Sequence, residues 1–132
     1  MQRTRILIVD DNPIDHMITA YVLKTYYQLW DVIVMESAVS ALSYLDSCKE
    51  NVNDLPVLII LDLDMPELNG IGFLEKFALY TKEFKEACKI VVLTGSEIIA
   101  DLEWMKADPH VFELISKPLN KNALAGAIKI AP

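Results

Sequence analysis

Several features are missing from these 132 residues, and each absence excludes a class of protein. No apolar run approaches the roughly 20 residues needed to cross a bilayer, so no membrane association is expected. Met1 to Arg5 lead directly into Ile6-Leu7-Ile8-Val9 without a cleavable leader, which implies a cytoplasmic protein. The two cysteines, Cys48 and Cys88, lack metal-type spacing and read as small, reduced apolar residues. Lys and Arg form no cluster interleaved with aromatics, and the formal charge is −7, so direct binding of nucleic acid is not expected. Repeats, low-complexity tracts and linkers are absent too, and the chain reads as one domain over residues 1–132.

What is present is apolar material, 53% of the residues, enough for a real core. It comes in short runs that do not alternate and that stop on polar groups. Ile6–Val9 closes on Asp10-Asp11, Val57–Leu61 on Asp62, Ile90–Leu93 on Thr94, and Val111–Ile115 runs into Ser116-Lys117. Such runs mark strands buried on both faces, as in a parallel sheet covered by helices. Val32–Met35 is a shorter strand of the same kind.

Helical spacing fills the intervals. Asn12-Pro13 is a cap followed by a proline suited to the first helical position, and the helix it opens runs to about Gln28. Ile14, Met17, Ile18, Tyr21, Val22, Tyr26 and Leu29 are spaced to form its buried face. Ser37 caps a second helix with Ala38, Ala41, Leu42 and Leu45 inward, and Ile71 to about Tyr80 is a third. Lys82–Lys89 is charged and fits no pattern well. Ile98–Lys106 is a weaker helix, and Asn120 caps a last one to about Lys129. Trp30, Trp104, Met17, Met35 and Met105 read as packing residues of the core or its edge.

Five strands alternating with helices define an α/β doubly wound (βα)5 fold, a flavodoxin-like three-layer sandwich. Its parallel five-stranded sheet is expected in the order 2-1-3-4-5, with ligands at the carboxyl ends of the strands. That order collects Asp10, Asp11, Asp62, Thr94 and Lys117 at one edge. Carboxylates this close need raised pKa values or a bound cation, and an all-oxygen donor set with few committed side chains suits Mg²⁺. Loops that cradle a nucleotide phosphate carry glycines or hydroxyls, whereas this first loop is Asp10-Asp11-Asn12-Pro13. The chemistry that fits is a carboxylate that itself accepts a phosphoryl group, with Lys117 as a point charge and Thr94 as a hydroxyl donor.

These motifs together resemble the receiver domain of two-component response regulators, over essentially the whole chain. Asp10-Asp11 matches the family's metal-site acids, and Asp62-Leu63-Asp64-Met65-Pro66 with Gly70 matches its phosphoacceptor motif. Thr94 matches its switch hydroxyl, and Lys117-Pro118 its lysine and following cis proline. The resemblance implies that Asp62 takes a phosphoryl group from a sensor histidine kinase or phosphotransfer protein. It further implies that Asp11, Asp62 and the backbone carbonyl of Asp64 hold Mg²⁺, with Asp10 acting through water. Phosphorylation would then shift the face formed by the 98–106 helix, the fifth strand and the last helix, which contacts a partner. Asp64 and Ser96 fall where the family tunes phosphoryl lifetime. Leu114 departs from the family, which often has an aromatic there.

Two alternatives compete with a non-enzymatic signalling module. A phosphatase of the haloacid dehalogenase type also ends an apolar strand on Asp-x-Asp, but it carries its second acidic pair after the lysine, where this chain has none. A receiver that no longer accepts phosphate is opposed by the intact set of acids, threonine and lysine. His16 and His110 are read as solvated and loop residues, not phosphodonors.

Overall fold

The computed structural model describes residues 4–63, 70–95, 103, 107–117, 119 and 122–130. The expectations for Asp64, Met65-Pro66, Ser96, Trp104, Met105, Pro118 and the Asn120 cap lie outside those residues, as does the 98–106 helix apart from Glu103.

In chain order the elements are β1 (Ile6–Val9), α1 (Pro13–Tyr26), β2 (Val32–Met35), α2 (Ala38–Ser47) and β3 (Leu58–Asp62). They continue with α3 (Gly70–Phe77), α4 (Lys82–Ala87), β4 (Lys89–Thr94), β5 (Val111–Ser116) and α5 (Ala125–Ile130). The five strands form one parallel sheet in the order β2-β1-β3-β4-β5, as the sequence predicts.

Both faces of the central strands are buried, which is why their sequences do not alternate. Leu7, Val9, Ile59, Leu61, Ile90 and Val92 pack with Ala41 and Leu45 of α2 and with Phe73, Leu74 and Phe77 of α3. Ile6, Ile8, Leu58, Ile60, Val91 and Leu93 pack with Val22 and Leu23 of α1 and with Leu124 and Ala127. The two cysteines are not joined in a disulfide and are buried within the first of these clusters.

The orientation of α1 differs from the expectation. Ile14, Met17, Ile18, Tyr21 and Tyr26 are 68%, 66%, 40%, 59% and 51% exposed, and the residues it buries are Thr19, Val22 and Leu23. Of the residues expected inward, Val22 is buried and Leu29 packs half-buried against the core, while the rest of the stripe lies on the solvent side. The inner face instead carries Asp15, which pairs with Lys117, and Thr19, whose hydroxyl donates to the Asp15 carbonyl at 3.1 Å. Trp30, expected to pack, is 71% exposed. His16 is half-buried rather than solvated, with its Nε2 out of contact with solvent.

Two segments are more ordered than their sequence suggests. Thr81 Oγ1 accepts from the Phe84 amide at 3.2 Å and opens α4, whose buried anchor is Phe84. The polar 49–56 loop contains a 3-10 turn at Val52–Asp54, followed by buried Leu55. The last helix starts later than expected, at Ala125, after a turn over 122–124.

Candidate functional site

The register explains how residues far apart in sequence meet. Val9 is level with Leu61, so Asp10, the next residue, emerges beside Asp62. Asp62 is level with Leu93, and Thr94 with Ser116, so Thr94 and Lys117 follow one step further along the same edge. The Lys117 amide donates to the Thr94 carbonyl at 2.9 Å, which fixes where the lysine side chain starts.

Asp10, Asp62 and Thr94 are almost completely buried, while Asp11 is half-buried. One carboxylate oxygen from each of Asp10, Asp11 and Asp62 lies within 4.8 Å of the others. Asp10 Oδ1 accepts from the Asn12 amide at 2.9 Å, whereas its buried Oδ2 has no hydrogen-bond partner among the described residues. Burial, reinforced by the charge of Asp62, pushes the Asp10 carboxyl up to about 6, against the pull of the Asn12 amide. An oxygen-lined cluster with an orphaned buried oxygen fits a small hard cation such as Mg²⁺.

Lys117 Nζ lies 3.0 Å from Asp62 Oδ1 and 2.8 Å from Asp15 Oδ2. Burial works against its charge, but the hydrogen bonds to Asp15 and Asp62 and the fields of Asp62 and Asp10 prevail, holding its pKa above the ordinary lysine value. The ammonium is therefore fully charged at neutral pH. Asp15 escaped the sequence reading because an acid in the first turn of a helix is usually a dipole partner. No local pattern marks it, because its role shows only in the contact with Lys117, 102 residues away.

Gly70 opens α3 against the end of β3. A Cβ there would lie 2.9 Å from the Leu63 Cα and 3.2 Å from the Asp62 carbonyl oxygen, so only glycine permits this approach. The Gly70 amide donates to the Leu63 carbonyl at 3.0 Å, anchoring the chain just beyond Asp62.

Comparison with known proteins agrees with this architecture. Residues 6–129 match the response regulator receiver domain, and the chain belongs to that family. Its place is thus among the receiver domains of two-component signal transduction. The chain is 28% identical over 116 residues to protein-glutamate methylesterase/protein-glutamine glutaminase 3 of Rhodopseudomonas palustris (strain BisB18). That match covers 88% of this chain but only 29% of the relative's length. A two component response regulator from Cytophaga hutchinsonii superposes with a TM-score of 0.87 at 22% identity, covering 98% of this chain and 96% of that one. The Mn(2+)-bound form of response regulator Rcp1 superposes with a TM-score of 0.73 at 28% identity, covering 96% and 89% of the two chains. Among the described residues no helix is long and apolar enough to cross a membrane.

Proposed function

We propose that Asp62 is the phosphoacceptor of a two-component phosphorelay and that the chain works as a signalling module rather than as an enzyme with its own substrate. The observation that carries this is the pairing of a buried carboxylate with a charged lysine at 3.0 Å, beside two further acids at the same sheet edge. A carboxylate oxygen of Asp62 attacks the phosphorus of a phosphohistidine on a sensor kinase or phosphotransfer protein. The P–N bond breaks as the P–O bond forms, and the leaving imidazole regains a proton. Lys117 meets the transferred oxygens as a point charge, and the Thr94 hydroxyl donates to one of them. Asp10, Asp11 and Asp62 are the side chains that would hold Mg²⁺, with the Asp64 backbone carbonyl as a further ligand. The ion would supply charge neutralisation for the incoming phosphoryl group. The solved relative that carries Mn(2+) supports a divalent cation in this role.

Family membership sets the haloacid dehalogenase alternative aside, and the intact acids, threonine and lysine oppose a receiver that has lost phosphoacceptance. The output is a shift of the face built from β5, α5 and the helix that the sequence predicts over 98–106. Leu114 is half-buried against the core that Val92 belongs to, so an aliphatic side chain stands where receivers often swing an aromatic. The response at β5 is therefore a repacking of Leu114 rather than a ring rotation.

With acetyl phosphate and Mg²⁺ the chain is expected to gain one phosphoryl group, and Asp62→Asn or chelation with EDTA to abolish it. Intact-mass spectrometry reads this directly, and equal labelling of the Asp62→Asn variant would overturn the assignment.

A further inference from the structure

We infer that Asp15 is a positioning residue of this site, one that acts through Lys117 to weaken its hold on the phosphoryl group. The inference rests on the reading of Asp62 as phosphoacceptor. Lys117 bridges two carboxylates, and its contact with Asp15, at 2.8 Å, is shorter than its contact with Asp62, at 3.0 Å. An ammonium has three donors, so two of the three are engaged before any phosphoryl oxygen arrives.

Asp15 is held firmly in this position. Its amide donates to the Asn12 cap oxygen at 3.1 Å, and its carbonyl accepts from the buried Thr19 hydroxyl at 3.1 Å. The first turn of α1 favours its negative charge, because the unpaired amides of a helix start carry partial positive charge. Asn12 in turn donates its own amide to Asp10, so one short loop sets both a candidate metal acid and the lysine's second partner. Asp15, Ile18, Thr19, Leu93, Lys117 and Leu119 line a small open cleft of about 30 Å³ beside this contact. The lysine thus lies between α1 and the acceptor instead of reaching only toward Asp62.

Phosphorylation replaces the single carboxylate charge of Asp62 with the roughly two charges of an acyl phosphate and carries them outward onto the phosphoryl oxygens. Lys117 must then divide its field between that group and a fixed anion, and the phosphorylated state is correspondingly less favourable. Asp15→Asn keeps an oxygen acceptor in place and removes the charge, so the lysine is released to the phosphoryl oxygens.

The test is a titration of Mg²⁺-loaded protein with beryllofluoride, a non-covalent stand-in for the phosphoryl group, followed by ¹⁹F NMR. Asp15→Asn is expected to bind roughly tenfold more tightly than wild type, as suits one unit charge a few ångströms away in a partly screened site. Its acetyl-phosphate-derived label should decay correspondingly more slowly. Asp15→Glu, which restores the charge, should return both readings to near wild type. In a Lys117→Met background the effect of Asp15→Asn should fall below about twofold, because the intermediary is gone. Equal or weaker binding by Asp15→Asn overturns the inference, and so does a full-sized effect without the lysine. Failure of the wild-type protein to take beryllofluoride would instead overturn the reading of Asp62.

Discussion

The two layers that cover the sheet are made of different material. On one side, Phe77 stacks on Phe73 at 6.2 Å between ring centroids and meets Tyr80 edge-on at 5.8 Å and Phe84 at 6.4 Å, an aromatic knot under α3 and α4. On the other side, α1, the 122–124 turn and α5 give the sheet Val22, Leu23, Leu124 and Ala127, and α1 spends much of its inner face on Asp15 and Thr19. The first layer is specialised for packing and the second for chemistry. A helix that must aim a carboxylate at the site has less apolar surface to bury, and its remaining apolar residues stand outside.

The sharpest way to break this contrast is to attack the knot. Phe77→Ala is expected to cost about 3–5 kcal/mol, the range for a fully buried aromatic truncated in a rigid core. Chemical denaturation measures it, and a cost below about 1 kcal/mol would show that the aromatic layer is not the stabilising one.

A smaller effect belongs to the chemical side. Asp10 has its folded-state pKa raised from 3.8 to about 6, so between these values the native state keeps a proton that the unfolded chain has released. In EDTA, its contribution is fully present below about pH 3.8 and lost as pH rises through about 6. The decline should amount to roughly 1–3 kcal/mol. It should vanish in Asp10→Asn, so the difference between the two proteins' stability–pH curves isolates it. Equal slopes for the two would refute the account, and saturating Mg²⁺ should flatten the wild-type curve.

The smallest effect is expected on the outer face of α1. Met17→Ser should change stability by no more than about 0.5 kcal/mol, because the side chain is 66% exposed. A loss several times larger would place that stripe in the core after all.

The elements that could be read from the sequence are those whose signal is local. The unalternating runs ending at Asp10, Asp62, Thr94 and Lys117 announce buried parallel strands, and strand order then brings their ends together. The rotation of α1 could not be read in the same way. Period 3.6 shows that Ile14, Met17, Ile18 and Tyr21 share a face, but which face meets the sheet depends on a partner 102 residues away. Lys82–Ala87 stayed ambiguous because a single buried phenylalanine, Phe84, and one capping hydroxyl hold that short helix among charged residues. Gly70 was recognised as part of a motif, yet its necessity lies in the distance to the Leu63 Cα, which sequence does not show.

The pair of Lys117 and Asp15 also bears on time. It joins the last strand to the first helix across 102 residues, nearly the whole length of the chain. Closing so large a loop gains little until the intervening strands are in place, so this contact belongs to the late steps of folding. The acids at the ends of β1 and β3 depend on a shorter closure, the pairing of those two strands in the middle of the sheet. A chain still emerging from the ribosome, or one whose final strand has come loose, therefore holds its carboxylates without their lysine. The full set of carboxylates and lysine exists only in the completed fold.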